Sequence, residues 1–473
     1  MPQDFEVSVN VYFLGIAGAG MSALASILAS QGHRISGSDV GVFPPISTYL
    51  DNMGIAWRDG FDPRSMPAEI DLAVIGSSAK LGLEDNPELI ELRRRGTPSF
   101  SFPEFLARHT RERENLVVAG SFGKSTLTAL ITLTLREAGR DPGYFIGAVP
   151  LDLAASGHWG ADRLFVMEGD EYIVGGEDRR PKFLLYHPAN LLISSVIHDH
   201  LNVFPTVGSY ELAFAKLIDL LPRNGLLVCA AAFPALHRLT HGRPVVWYGR
   251  ERCEGYFADR VEIGEVTRFD LVSPSGGRIE LETELLGYHN IENIVGASAI
   301  LLERGDVDAG SLRLAVGKFR GVERRLDKKT SKSKVPVYEG FGSSYEKARS
   351  AIEAISLHFP ARPQVVIFEP HTFSWRNAEA LAWYDTVFEG AAQVLLLPPP
   401  EHGAQGHEQV SQGQILARIC HSGVRARSVE GSAEVLSWLE RSLKGDEVVL
   451  LLSSGPMDGL TRSAPALLEA RFG

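Results

Sequence analysis

At 473 residues, 44% of them hydrophobic and 22% charged, the chain is sized for about three packed domains and is too apolar for a disordered protein. A net charge of −11 argues against the basic footprint of a nucleic-acid binder. The widely spaced Cys229, Cys253 and Cys420 make neither a disulfide framework nor a zinc site, and reduced, mostly buried thiols are expected. No apolar run reaches the length that a bilayer demands, and no charged-then-apolar leader precedes the first strand. A cytoplasmic chain without membrane or nucleic-acid partners is therefore expected.

Taken in order, residues 7–14 alternate and are rich in β-formers, which predicts a strand. Gly15-Ile16-Ala17-Gly18-Ala19-Gly20 then turns into a helix predicted over 21–31, and a second strand over 35–39 ends on Asp39. An acid about 20 positions after a glycine turn is the layout in which a carboxylate meets a ribose hydroxyl. The spacing G-x-x-G-x-G supports a helix N-terminus that accepts a pyrophosphate, and it does not separate NAD from a UDP-sugar. Strands over 72–75 and 97–100, with a helix over 87–95, complete a small parallel sheet.

The stretch 117–126 carries the clearest chemistry. Val117, Val118 and Ala119 predict a buried strand, Gly120-Ser121-Phe122-Gly123-Lys124-Ser125-Thr126 a glycine-bounded turn, and 127–139 a helix. Strand, glycine turn, Lys-Ser and helix form a phosphate-binding loop: backbone N–H groups wrap the anion, the lysine neutralises charge and the hydroxyl ligates Mg²⁺. A strand over 164–167 runs into Glu168-Gly169-Asp170-Glu171-Tyr172, where a carboxylate partner for that Mg²⁺ is expected. A strand over 190–197 leads to His198-Asp199-His200, of which one histidine is expected to face the site. Helices follow over 210–221 and from 287 to 304, with β-hairpins over 261–286 between them. Asn290 sits at the start of the second helix, a position that also suits a cap.

Lys328-Lys329-Thr330-Ser331-Lys332-Ser333-Lys334 reads as a solvated loop or hinge beside a domain boundary. Beyond it, strands over 335–338, 364–369, 394–397 and 448–452 alternate with helices, which implies a second doubly wound parallel sheet. Its ligand-facing ends hold residues 339–344, 370–376 with His371 and Arg376, and 453–459.

These motifs together resemble the Mur ligases, ATP-dependent amide-forming enzymes of peptidoglycan metabolism, over nearly the whole chain. The resemblance implies an α/β protein of three domains. Residues 1–110 would be a Rossmann-like UDP-sugar-binding domain, 111–325 a central P-loop ATPase-like domain and 326–473 a C-terminal doubly wound, Rossmann-like domain for the amine substrate. Residues 120–126 are similar to the family's ATP loop, Glu168-Gly169-Asp170-Glu171 to its Glu-Ala-Asp-Glu motif, and Asp199-His200 to its Asp-His pair. By that resemblance Lys124, Glu168, His200 and Arg325 are catalytic, Ser125, Glu168 and His200 hold Mg²⁺, and Asn290 and Arg325 join the loop in binding ATP. Gly18, Ala19, Gly20, Met21, Ser22, Asp39, Ser77, Ser78, His371 and Arg376 would bind the UDP-N-acetylmuramate and amine substrates.

Residues 39–54, 165–172 and 182–188 resemble the murein peptide ligase branch, which joins UDP-N-acetylmuramate to L-alanyl-γ-D-glutamyl-meso-diaminopimelate in recycling. The resemblance therefore implies the tripeptide as the amine, with L-alanine as the alternative, since Gly18-Ala19-Gly20-Met21-Ser22 leans towards the neighbouring L-alanine-adding branch. Where the family shows Asp-Asp-[Tyr/Phe]-Ala-His-His-Pro, this chain has Glu339-Gly340-Phe341-Gly342-Ser343-Ser344-Tyr345, and an aspartate after the Asp-His pair is Asn202. Altered nucleotide or amine contacts from the last domain are expected from these changes. Two readings stand beside the ligase: a nicotinamide-dependent oxidoreductase built on the first glycine turn, and a nucleotide-binding regulator without chemistry.

Overall fold

The computed structural model describes residues 8–44, 46–78, 81–175, 178–200, 203–400 and 409–473; Asn202 lies outside them. Close contacts divide the chain into two compact units. The first holds residues 1–261, 268–283 and 289–322, and the second holds 262–267, 284–288 and 323–473.

A two-stranded ribbon, Ile173–Gly175 with Asp178–Pro181, and two large sheets share the first unit. The smaller runs Ala56–Asp59, Arg34–Asp39, Asn10–Leu14, Leu72–Ile75, Ser99–Ser101, with every neighbouring pair parallel. The larger has ten strands, with Glu114–Ala119 between Asn190–Ile193 and Leu164–Gly169 and parallel to both. Leu227–Ala230, Val246–Gly249 and Tyr256–Glu262 extend it in parallel on one side. Its central strands are apolar at successive positions, Leu116, Val117 and Val118 being fully buried, because helices cover both faces of a parallel sheet.

The two sheets pack as one unit through small residues. A Cβ at Gly157 would run into the backbone of Ala23, so the helix Ala19–Ser30 lies directly against the strand Gly157–His158. Ser156 N donates to Tyr49 Oη at 2.9 Å, and the His109 and Trp159 rings meet at 4.4 Å.

The second unit is a six-stranded sheet in the order Arg325–Lys328, Val337–Phe341, Val448–Ser453, Gln364–Phe368, Gln393–Leu396, Ala426–Ser428. Only the first pair is antiparallel. Alternation along a strand feeds two cores: Val365 and Ile367 join one cluster, Val366 and Phe368 the other. The lysine-rich run is exposed at Lys328, Lys332 and Lys334, as expected, and it is anchored at two points. The Glu469 carboxylate accepts from Ser331 N and from Lys332 N at 3.1 Å. Lys329 alone turns inward, its Nζ 2.5 Å from Asp327 and 2.8 Å from Glu339, both buried.

Candidate active site at the phosphate loop

The loop is built where the strand Glu114–Ala119 ends and the helix Lys124–Glu137 begins. Two glycines make it possible. Gly120 has φ 140, and a Cβ there would run into Ser194 Oγ and lie 2.9 Å from Ser195 N. Gly123 has φ 82, and its Cβ would lie 2.5 Å from Asn293 Oδ1. Side chains at either position would fill the hollow and strain the backbone. The loop is also stitched to the neighbouring strand's extension: Ser121 N donates to Ser195 O at 3.2 Å and Phe122 N to Ser195 Oγ at 2.9 Å. Ser121 Oγ bonds Ile197 O and the Tyr210 hydroxyl, both at 2.8 Å. Ser194 and Ser195 were invisible as site residues in sequence because they read only as the end of a strand.

Four carboxylates and cations meet at the helix start. Lys124 Nζ donates to Gly120 O at 2.7 Å and reaches Glu171 at 2.9 and 3.2 Å. Burial pulls the Lys124 ammonium down, but Glu171, Glu168 and Asp170 outweigh it and hold its pKa above the ordinary value. Ser125 Oγ donates to Glu168 Oε2 at 2.8 Å, and Gly147 N donates to the same oxygen at 2.7 Å. Glu168 lies on the strand Leu164–Gly169 itself, so the sheet fixes it opposite the loop. Thr126 is buried within the helix's first turn, while Phe122 stands 54% exposed at the loop tip.

His200 meets Glu171 rather than Glu168, its Nε2 lying 3.4 Å from Glu171 Oε1. The bond to Glu171 raises the His200 pKa against the opposing effect of burial. His198 turns to Phe204 O at 2.7 Å. The strand stops at Ile193 and His200 takes φ 55, so a local turn, not strand alternation, decides which ring faces the site. Among the described residues no three His, Cys, Asp or Glu side chains are already gathered for a metal. The residues nevertheless fit Mg²⁺ and a polyphosphate: a hard oxygen pair at Ser125 and Glu168 adjoins a cradle that only glycine leaves open. Asn290 and Asn293 reach this loop from the helix Tyr288–Glu303, with Asn293 Nδ2 donating to Asn290 Oδ1 at 3.2 Å.

Asp170 points away from this cluster to Lys182, 2.7 Å from its Nζ. Burial pushes the carboxyl up, but Lys182 more than reverses this, and the net pKa is low. Asp170 therefore contributes stability fully present above its unfolded pKa of about 4, and lost as pH falls through the depressed folded value. In Asp170→Asn the stability deficit relative to wild type is expected to be constant at neutral pH and to shrink below about pH 4. Urea unfolding at several pH values measures it; a deficit that grows on acidification would contradict the pairing.

In the first glycine turn Gly18 caps the helix, and Ala19 is its first residue. Gly20 is needed for packing, since its Cβ would lie 2.9 Å from the Phe102 ring. Met21 and Ser22 are buried, Ser22 Oγ donating to Ala19 O at 3.0 Å. Asp39 is fully buried, and its carboxylate accepts from Ala17 N at 3.0 Å and Val40 N at 2.8 Å. It thus clamps the glycine turn through the backbone. Ser77 and Ser78 are exposed, and Ser77 approaches Gly175.

Three predicted residues belong to the second unit. Arg325 is exposed at the start of its strand. His371 Nδ1 lies 3.5 Å from Ser454 Oγ. Arg376 is buried and donates to Pro400 O at 3.1 Å, bracing the chain. At the altered family motif, Glu339 is buried against Lys329 and, at 3.3 Å, Arg324. Gly340 faces Leu452, Leu326 and Ala351, an apolar setting in which a second aspartate would be without partners. Ser344 caps the helix Tyr345–His358.

Residues 10–114 match the Mur ligase family catalytic domain and 118–301 the Mur ligase middle domain. The chain is 30% identical to a UDP-N-acetylmuramate–L-alanine ligase of Roseiflexus sp. (strain RS-1), over 94% of this chain and 96% of that protein. It is 25% identical to the UDP-N-acetylmuramate–L-alanyl-γ-D-glutamyl-meso-2,6-diaminoheptandioate ligase of Escherichia coli (strain K12), over 97% and 100%. In structure it matches the UDP-N-acetylmuramate–alanine ligase of Thermotoga maritima with a TM-score of 0.79 at 21% identity, covering 98% and 100% of the two chains. No helix among the described residues is long and apolar enough to cross a membrane. With two family models matched across residues 10–114 and 118–301 and a 30% identical relative alike over 94% of the chain, the chain belongs to the Mur ligase family of ATP-dependent amide ligases.

Proposed function

We propose that the chain joins the lactyl carboxylate of UDP-N-acetylmuramate to an amine at the expense of ATP, with L-alanine as the amine. The observation that carries the reaction type is the buried Lys124 ammonium at a glycine cradle, with Glu168 set on Ser125 beside it. The choice of L-alanine rests on the 30% identical relative, which shares almost its whole length with this chain. The three sheets then divide the work as a UDP-sugar domain over 1–110, an ATP domain over 111–325 and an amine domain over 326–473.

A carboxylate is a poor electrophile, so amide formation in water needs activation. The substrate carboxylate attacks the γ-phosphorus of ATP, ADP leaves, and an acyl phosphate forms; the amine then attacks the acyl carbon and phosphate departs. Lys124 and the N–H groups of Gly123 and Lys124 at the helix start hold the charge that builds on the transferring phosphoryl group. Ser125 and Glu168, with His200 at hand, would hold Mg²⁺, which when bound would supply further charge neutralisation there. Asn290 is assigned to the nucleoside. No protein nucleophile is required.

A second reading keeps the same chemistry with the tripeptide L-alanyl-γ-D-glutamyl-meso-diaminopimelate as the amine, and places the enzyme in recycling. It draws support from the likeness to the Escherichia coli ligase, which spans all of that protein. Purified protein with UDP-N-acetylmuramate and MgATP is expected to release phosphate when L-alanine is added. Release with the tripeptide alone would select the second reading. Release with neither would remove both, and a nicotinamide absorbance change would instead favour the oxidoreductase.

A further inference from the structure

Glu171 has no part in the reaction as derived so far, yet it is the most enclosed charge at the site. Its side chain is 1% exposed, against 14% for Lys124 and 33% for His200, and it touches both. It follows the strand that carries Glu168 by two residues beyond its end, so the chain has turned and its carboxylate enters the loop from the Lys124 side. Glu168 and Glu171 therefore divide the site. The first takes the hydroxyl of Ser125, the second the ammonium of Lys124. Lys124 is simultaneously drawn back onto Gly120 O at 2.7 Å, across the hollow that the glycines keep open.

From this geometry we infer that Glu171 is a positioning residue that holds the Lys124 ammonium at the loop, and that an incoming nucleotide must take the lysine from it. The physical logic is electrostatic. A buried ammonium without a counter-charge would be strongly disfavoured, and a buried carboxylate supplies one before the nucleotide arrives. The same carboxylate repels a polyphosphate that approaches Lys124, so it lowers nucleotide affinity while keeping the loop ordered. His200 Nε2, 3.4 Å away, remains a second neighbour of the released carboxylate. The inference rests on the phosphate-loop reading of the site.

The test is nucleotide affinity, by calorimetry with the Mg²⁺ complex of a non-hydrolysable ATP analogue. Glu171→Gln keeps the shape and loses the charge, and it is expected to bind on the order of tenfold more tightly than wild type. Glu171→Asp, which keeps the charge, is expected to show no such gain. A merely structural role would weaken binding in both variants, and a metal-ligand role would weaken it in Glu171→Gln; equal or weaker binding in Glu171→Gln overturns the inference. Thermal unfolding provides a second measurement. Lys124→Met strands Glu171 and should lower the midpoint, whereas the double variant Lys124→Met/Glu171→Gln should recover most of the loss. Additive losses would overturn the inference even if Glu171→Gln alone folds poorly. Wild type that fails to bind the analogue at all would instead bring down the phosphate-loop reading, and this inference with it.

Discussion

Lys124→Ala is expected to lower ATP-dependent ligation about a thousandfold, the scale on which removing one preorganised charge stabiliser slows such reactions. Lys124 is the cation at the glycine cradle, and its pKa is held high, so it is charged throughout the working pH range. Its loss leaves the transferring phosphoryl group with the loop N–H groups and the metal alone. Two controls separate chemistry from folding. The variant's thermal midpoint shows whether stranding Glu171 has unfolded the site, and Lys124→Arg tests charge without the same reach. Wild-type turnover in a folded Lys124→Ala protein would refute the role given to the loop.

Gly120→Ala should be nearly as damaging, through shape instead of charge. At φ 140 an L-residue is strained, and the added methyl would meet Ser194 Oγ and the backbone at Ser195 N. Those are the atoms that stitch the loop to its neighbouring strand, so the loop cannot yield without giving up its hydrogen bonds. A cost of about 3 kcal/mol follows from combining a strained backbone with a buried clash. If it falls on the loop alone, nucleotide affinity drops by about a hundredfold. Calorimetry with MgATP, alongside circular dichroism, distinguishes loss of the loop from loss of the fold. Undiminished affinity would show that the hollow is not where the nucleotide binds.

Much of the site was legible along the chain because its parts are local. Val117 to Ala119 are apolar at consecutive positions, as a strand covered on both faces must be, and a glycine turn with Lys124 and Ser125 follows at once. Asp39 was legible as the acid ending the second strand, but its inward turn onto Ala17 N and Val40 N was not, since that depends on how the glycine turn folds back over the strand end. Within the lysine-rich run, whose other lysines are exposed as expected, Lys329 alone misled, for a related reason. Charge density suggests solvent, but Lys329 is neutralised by Asp327, two residues before it, and by Glu339 on the paired strand. Antiparallel pairing brings those side chains together, and no local pattern announces it.

What the sequence determined by itself was the strand, glycine turn and helix over 114–137, written in short-range periodicity and spacing, and the motifs by which the chain resembles its family. Only the tertiary structure decided which acid serves which partner. Glu168 and Glu171 stand three residues apart in one motif, yet a turn after the strand sends one to Ser125 and the other to Lys124 and His200. The physical reason is that a carboxylate's role is set by the cation or hydroxyl within about 3 Å of it. Those neighbours, 43 and 47 residues away along the chain, arrive only when the sheet is assembled.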